Sequence, residues 1–342
     1  MTVAVKNTRR SIIQFVILLG IGVLLIWLSL RQITPSEKTE IIYSFKTANY
    51  FWVFASLFIS FFSHFLRAYR WNYLLKPLGH QTKLVNATCH VLIGYLANYG
   101  IPRMGEISRC TLAAKYDKVP FEIALGTVIT ERIIDFLIFS LIFILTLAVQ
   151  FKQLIGLANK YVFDKLSDKF SAIIESPLKL IILVSIILIL ISTFLLLRKK
   201  ISSLLKGKLG GIIKGFGQGL GSIKKMDKPF NFIFLSLLIW ASYFYSLYVC
   251  FFALSGTSDL GQKECLILLL FGTFGVILTP GGLGAYPEIL RNILLYTFFV
   301  DKASSFALPW LSWTSQFVLI LALGLISLIV LPIYNRNKNV IS

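Results

Sequence analysis

The sequence predicts an all-α integral membrane protein, a polytopic helical bundle of two inverted-topology repeats, each with a broken, re-entrant helix pair. Three observations predict it. The 342 residues are 56% hydrophobic and only 14% charged, with mean hydropathy +0.78, against a usual charged share of about 25%. Several apolar runs reach the roughly 20 residues that span a bilayer. A motif is also written twice. Gly94 opens an apolar stretch that meets Pro102 eight residues later, followed by Gly105 and Glu106-Ile107-Ser108-Arg109. Gly272 opens a second stretch that meets Pro280 eight residues later, followed by Gly281, Gly282, Gly284 and Glu288-Ile289-Leu290-Arg291. Proline removes a backbone donor and glycine relaxes the chain, so an apolar helix must break at both places. Such breaks are tolerated in a bilayer only where protein or a water-filled cavity covers the freed groups. Broken segments at matching positions of two halves point to a transporter's substrate site.

Taken in order, Lys6, Arg9 and Arg10 precede an apolar run ending at Leu30-Arg31. It is too long for a signal peptide and has no small-residue cleavage site, so a retained first helix over 11–30 is expected. A second helix covers 50–75 and the first broken pair 84–115. Helices follow over 120–148 and 178–197, then a basic segment over 198–229. A helix over 231–254, the second broken pair over 264–300 and a last helix over 306–332 complete the chain. The basic segment holds nine Lys and Arg against Asp227 alone, which puts it on the cytoplasmic side. Its apolar residues recur at three- and four-residue spacing, with lysines between them. That reads as an amphipathic helix on the inner leaflet or as a linker. Arg336 and Lys338 put the C-terminus on the same side, while the mixed-sign linkers 31–49, 151–177 and 255–263 fall outside. The halves 1–150 and 170–335 then run in opposite senses within a single membrane domain, 1–342, with both termini cytoplasmic.

The net charge of +19 follows from this cytoplasmic bias and from anionic headgroups. Nothing resembles a nucleic-acid-binding motif. Cys89, Cys110, Cys250 and Cys265 lie in apolar segments without a C-x-x-C pair and read as buried thiols. No metal, cofactor or catalytic group is expected, and no phosphate loop for ATP hydrolysis is present.

The charge-bearing positions inside apolar segments are the candidate substrate-binding residues. Glu131, Arg132 and Asp135 fall about ten residues into their helix, near the bilayer midplane. Each charge there costs about 2.5–3.5 kcal/mol on insertion scales. Thr127, Glu131 and Asp135 form one stripe. It is either a buried structural ion pair with Arg103 or Arg109, or it also lines a pathway. Arg103, Glu106 and Arg109 follow the first break, where guanidinium forks and freed N–H groups suit a phosphate. A helix cap with Glu106 paired to Arg109 is the plainer account. Thr279, Pro280, Gly281, Gly282 and Gly284, with Glu288 and Arg291 behind them, offer either close backbone approach or a tight turn. Arg67 and Arg70 read as snorkelling anchors and His64 as a packed polar residue. The tryptophans read mostly as interface belts, with Trp310 and Trp313 as pathway candidates.

Arg67-Ala68-Tyr69-Arg70-Trp71 with Leu74-Leu75, and Gly94-Tyr95, Asn98, Pro102-Arg103-Met104-Gly105-Glu106 and Arg109, form one set of motifs. Glu131-Arg132-Ile133-Ile134-Asp135 and Thr279-Pro280-Gly281-Gly282-Leu283-Gly284 complete it. Together they resemble the membrane region of lysylphosphatidylglycerol synthases, a flippase-like family that includes stand-alone members. The chain stops ten residues after its last predicted helix, so the resemblance implies a stand-alone member without the aminoacyltransferase domain. It implies a flippase or scramblase in the plasma membrane, acting on anionic or phosphate-bearing membrane lipids that a partner enzyme could supply. The alternative from a different class is a membrane-embedded lipid-modifying transferase.

Overall fold

The computed structural model describes residues 19, 20, 22–27, 31, 34–101, 104–158 and 226–336, with only the backbone described over 151–158. It divides into two compact units, one of residues 1–144 and 215–342 and one of 145–214. The expected helix over 178–197 and nearly all of the basic segment lie outside the described residues. The first expected helix is described only in part, helical over 22–27. Every regular element among the described residues is helical, so the chain is an all-α membrane bundle. Among the described residues, four stretches are long and apolar enough to cross a bilayer: Tyr50–Leu78, Phe121–Gln150, Pro229–Ala253 and Lys302–Asn335.

The linker expected over 31–49 contains a helix, α1 (Pro35–Thr47). Thr34 caps it in a reciprocal box, its backbone N–H donating to Glu37 Oε2 at 2.9 Å. This local signature was present in the sequence as Thr-Pro-Ser-Glu. Ile41 anchors α1 against Ala303 and Phe306. Helix α2 (Tyr50–Leu75) starts at Asn49, whose Oδ1 accepts from Phe51 N–H, and ends in a 3-10 turn closed by Gly79 at φ +78°.

The first broken pair is α3 (Leu84–Gly100) and α4 (Met104–Asp117). Fourteen residues of α4 rise about 21 Å, short of a hydrocarbon core of about 30 Å, so α4 does not cross it. The two pack backbone to backbone. A Cβ at Gly94 would lie 2.9 Å from the Gly105 carbonyl oxygen, and one at Gly105 would overlap the Gly94 oxygen and Asn98. Helix α5 (Phe121–Ala158) runs past its expected end, with non-helical dihedrals at Gln150. Helix α6 (Pro229–Cys250) lies along α2, joined through Leu66, Leu235 and Ile239.

The second broken pair is α7 (Gln262–Leu278) and α8 (Ala285–Tyr296), separated by a 3-10 turn at Pro280–Gly282. Helix α8 is again too short to cross. Gly275 gives α7 its contact with α8, since a Cβ there would sit 2.7 Å from Tyr286 Cα. Helix α9 (Lys302–Asn335) starts at Asp301, which accepts from Ser304 N–H at 2.8 Å, and contains Pro309 and Pro332. It meets α3 where Gly324 lets Leu92 and Leu96 approach.

Candidate functional site

The apolar core beside α3 is built from Ala68, Trp71 and Leu75 of α2, Val91 of α3, Cys110 and Ala113 of α4, and Ala124 and Val128 of α5. These small and flat side chains bring α2, α4 and α5 close. The charged residues on the same faces are thereby forced together.

Arg67 donates through Nη1 to Asp135 Oδ2 at 2.7 Å, and Arg70 through Nη1 to Asp135 Oδ1 at 2.9 Å. Arg109 donates to Glu131 Oε2 at 2.6 Å, and Arg70 Nη2 lies 3.6 Å from Glu131 Oε1. Helix α6 contributes the Tyr243 hydroxyl, 3.0 Å from Arg67 Nη2, and Ser236, 2.7 Å from Arg70 Nη1. The Arg109 guanidinium carbon lies 3.9 Å from the centre of the Trp71 ring, a cation–π contact of the kind that strengthens on desolvation. Trp71 in turn donates from Nε1 to Thr127 Oγ1 at 2.8 Å. Each Asp135 oxygen thus accepts one charge-assisted hydrogen bond, from a different guanidinium, and such bonds are roughly twice as strong as neutral ones.

Five ionised side chains are thus buried together. Arg67, Arg70 and Arg109 face Glu131 and Asp135, and each is less than a tenth exposed. The set carries one uncompensated positive charge. Several donors remain without a hydrogen-bond partner, namely Arg67 Nε, Arg70 Nε, and Arg109 Nε and Nη2. Half-exposed Arg132 pairs with Glu106 at 3.5 Å and also reaches Asp135 Oδ2 at 4.0 Å, at the edge of this set. A small cleft opens here, lined by Arg67, Tyr95, Asn98, Glu106, Arg109 and Arg132 among others. Its inner volume of about 20 Å³ is room for roughly one water.

This geometry corrects three readings. Arg67 and Arg70 are not snorkelling anchors, because both guanidinium groups are enclosed between α2, α5 and α6 and end on Asp135. Glu106 is not the partner of Arg109, whose ion pair is with Glu131. Trp71 is fully buried, not a belt residue. Arg103 and Pro102 lie outside the described residues. The missed signal was the spacing of Arg67 and Arg70. Three residues apart on one face of an apolar helix, they present the counter-charges that the Glu131–Asp135 stripe requires.

The second break is chemically different. Gly281, Gly282 and Gly284 have φ of +59°, +79° and +72°, the left-handed region that glycine enters without strain. Thr279 Oγ1 donates to the Leu283 carbonyl, and Trp313 Nε1 donates to the Gly281 carbonyl at 2.8 Å. Glu288 and Arg291 pair with each other at 3.3 Å, and Arg291 lies over Phe306. Helix α3 links the two breaks. Tyr99 packs on Gly281, while Tyr95, four residues earlier, lines the charged cleft. All four cysteines are buried and unpaired.

The family model described as the lysylphosphatidylglycerol synthase TM region matches residues 12–324. A UPF0104 membrane protein of Methanocaldococcus jannaschii is 34% identical over 73 residues, which cover 20% of this chain and 22% of that protein's length. No solved structure matches.

Proposed function

Because the chain belongs to the lysylphosphatidylglycerol synthase transmembrane-region family, we propose that it moves a phosphate-bearing lipid between the leaflets of the plasma membrane without ATP. The observation that carries the reading is the buried arginine excess at the first break. Three guanidinium groups share two carboxylates, and unpartnered N–H donors stand beside a cleft. Each charge at that depth costs about 2.5–3.5 kcal/mol, which apolar packing of the same helices would avoid. An anion that arrives there finds a site already charged and already desolvated, so it recovers part of that cost.

In this reading Arg109 and, from its place in the sequence, Arg103 engage the headgroup phosphate, while Arg132 and Glu106 part at the mouth of the cleft. The acyl or prenyl chains stay in the lipid. Gly281 lets the second break approach α3 closely at Tyr99, and Gly284 lets it approach the backbone at Gly22. In this reading both termini are cytoplasmic, and the two hairpins enter from opposite faces, the first from the cytoplasm and the second from outside. Supply of the lipid by a partner enzyme would suffice to drive net movement. Single-cysteine labelling in intact cells tests the orientation. Gln81 and Lys118 should react from the cytoplasmic side, and Asp259 and Lys302 from outside.

The function is tested by reconstituting the purified chain in liposomes and following headgroup access to a membrane-impermeant reagent over anionic and neutral lipids. Protein-dependent exchange of the phosphate-bearing anionic lipids is expected. No exchange for any lipid, with covalent modification of one when an activated donor is added, would establish a transferase instead.

A further inference from the structure

Helix α2 carries three buried serines that continue the line of the charged cluster's Arg67 and Arg70. Ser56, Ser60, Ser63, Arg67 and Arg70 step by four, three, four and three residues, so they form one stripe. None is more than a tenth exposed. The stripe faces α6 and α9. Ser56 Oγ lies 3.0 Å from Ser246 Oγ, Ser60 Oγ donates to Gln316 Oε1 at 2.5 Å, and Gln316 Nε2 lies 3.4 Å from Ser246 Oγ.

Cross-helix hydroxyls are common as membrane-helix glue, but glue alone does not account for two further features. His64, beside the stripe on the side of α3 and more than nine-tenths buried, has no hydrogen-bond partner at either ring nitrogen. Its ring packs at 4.8 Å on Tyr95, which lines the charged cleft. A buried orphan of this kind is rare and calls for an occupant or a role. The stripe also lies along α2 between two cavities. One is the cleft at Arg67. The other, of about 830 Å³, is lined by Thr47, Asn49, Ser255, Asp301 and Ser304, among others, at the opposite end of α2. From Asn49 to Arg67 is eighteen residues, a rise of about 27 Å, close to the thickness of the hydrocarbon core.

We propose that the Ser56–Ser60–Ser63 face of α2, with Ser246 and Gln316 opposite and His64 beside it, is the polar route along which the headgroup passes between the arginine cleft and the cavity at Asn49. This rests on the lipid-transport reading and adds its path. The hydroxyls and the amide exchange their mutual hydrogen bonds for bonds to headgroup oxygens or water when α2, α6 and α9 separate. His64 then gains the partner it lacks in the closed packing.

The test reads water access, so it is independent of transport. In a background with all four native cysteines replaced, S56C, S60C, S246C and Q316C are reconstituted and treated with small anionic and cationic methanethiosulfonates. L268C, in a fully buried apolar site, and F58C, on the exposed apolar face of α2, are the references. Modification at the route positions at least tenfold faster than at both references is expected. Rates equal to those of L268C at all four positions, in protein that remains monodisperse and still moves lipid, overturn the route and leave the transport reading standing. Fast modification in protein that moves no lipid keeps the aqueous route and overturns the lipid cargo.

Discussion

Replacing Asp135 by asparagine removes the carboxylate that holds two guanidinium groups while nearly preserving volume. Arg67 at 2.7 Å loses its ionic partner, and Arg70 at 2.9 Å is left with Glu131 alone at 3.6 Å. The buried set then rises from one uncompensated positive charge to two. At an effective dielectric of about 20, a pair whose charge centres lie about 4 Å apart is worth about 4 kcal/mol, so two such pairs forfeit about 8 kcal/mol. Against this, the protein no longer desolvates a carboxylate, which recovers several kcal/mol. A net loss of about 3–5 kcal/mol remains, in line with breaking one partner of a buried pair. That lowers the folded-to-unfolded ratio by between two and four powers of ten. The assay is denaturant unfolding in a mild detergent for the parent, D135N, R67M and the double variant. Methionine at 67 restores the charge excess to one. The double variant should therefore be more stable than D135N by about 1–3 kcal/mol, the range of coupling between contacting residues. If D135N unfolds within 0.5 kcal/mol of the parent on the scale of experimental additivity (~0.3–0.5 kcal/mol), the cluster is not electrostatically tight and the reasoning fails.

Arg67→Ala should lose both stability and lipid exchange, whereas Lys76→Ala, at the exposed end of the same helix, should leave both unchanged; equal effects would return Arg67 to the role of an anchor. Gly105→Ala should cost about 1–3 kcal/mol of overpacking, because its Cβ meets the Gly94 carbonyl and Asn98. Gly100→Ala, with open space around it, is the control in the same unfolding assay. Outside the spanning segments, the Lys302 hydrogen bond and those from Thr34 hold the Glu37 carboxyl down at about 2. A depressed carboxylate stabilises the α1–α9 contact above the ordinary glutamate value of about 4.3, and this is lost as pH falls through about 2. Carboxyl NMR titration should find that low value, and Lys302→Ala should move it upward toward the ordinary one.

The class of the protein was legible in the sequence because burying apolar length in lipid is a local matter. Twenty apolar residues specify a span wherever they occur, and the helices over 50–75, 229–250 and 302–335 follow from composition alone. The breaks were legible for the same reason, since Pro280 and the glycines beside it act on their own backbone. Helix α1 could have been read from Thr34 and Glu37, but its mixed charges concealed it within a linker. The partners of the charges were another matter. Arg67, Arg70, Arg109, Glu131 and Asp135 lie on three helices, and sequence distance says nothing of which guanidinium meets which carboxylate. An arginine near a helix end is cheap to solvate at the headgroups, so anchoring was the natural expectation for Arg67. Only the packing of Trp71, Cys110 and Val128 around α3 closes that route to water, and it turns the same side chain inward onto Asp135. The sequence by itself determined where the charges stand along each helix, whereas the tertiary structure decided which of them are buried together, because desolvation depends on neighbours that only folding supplies.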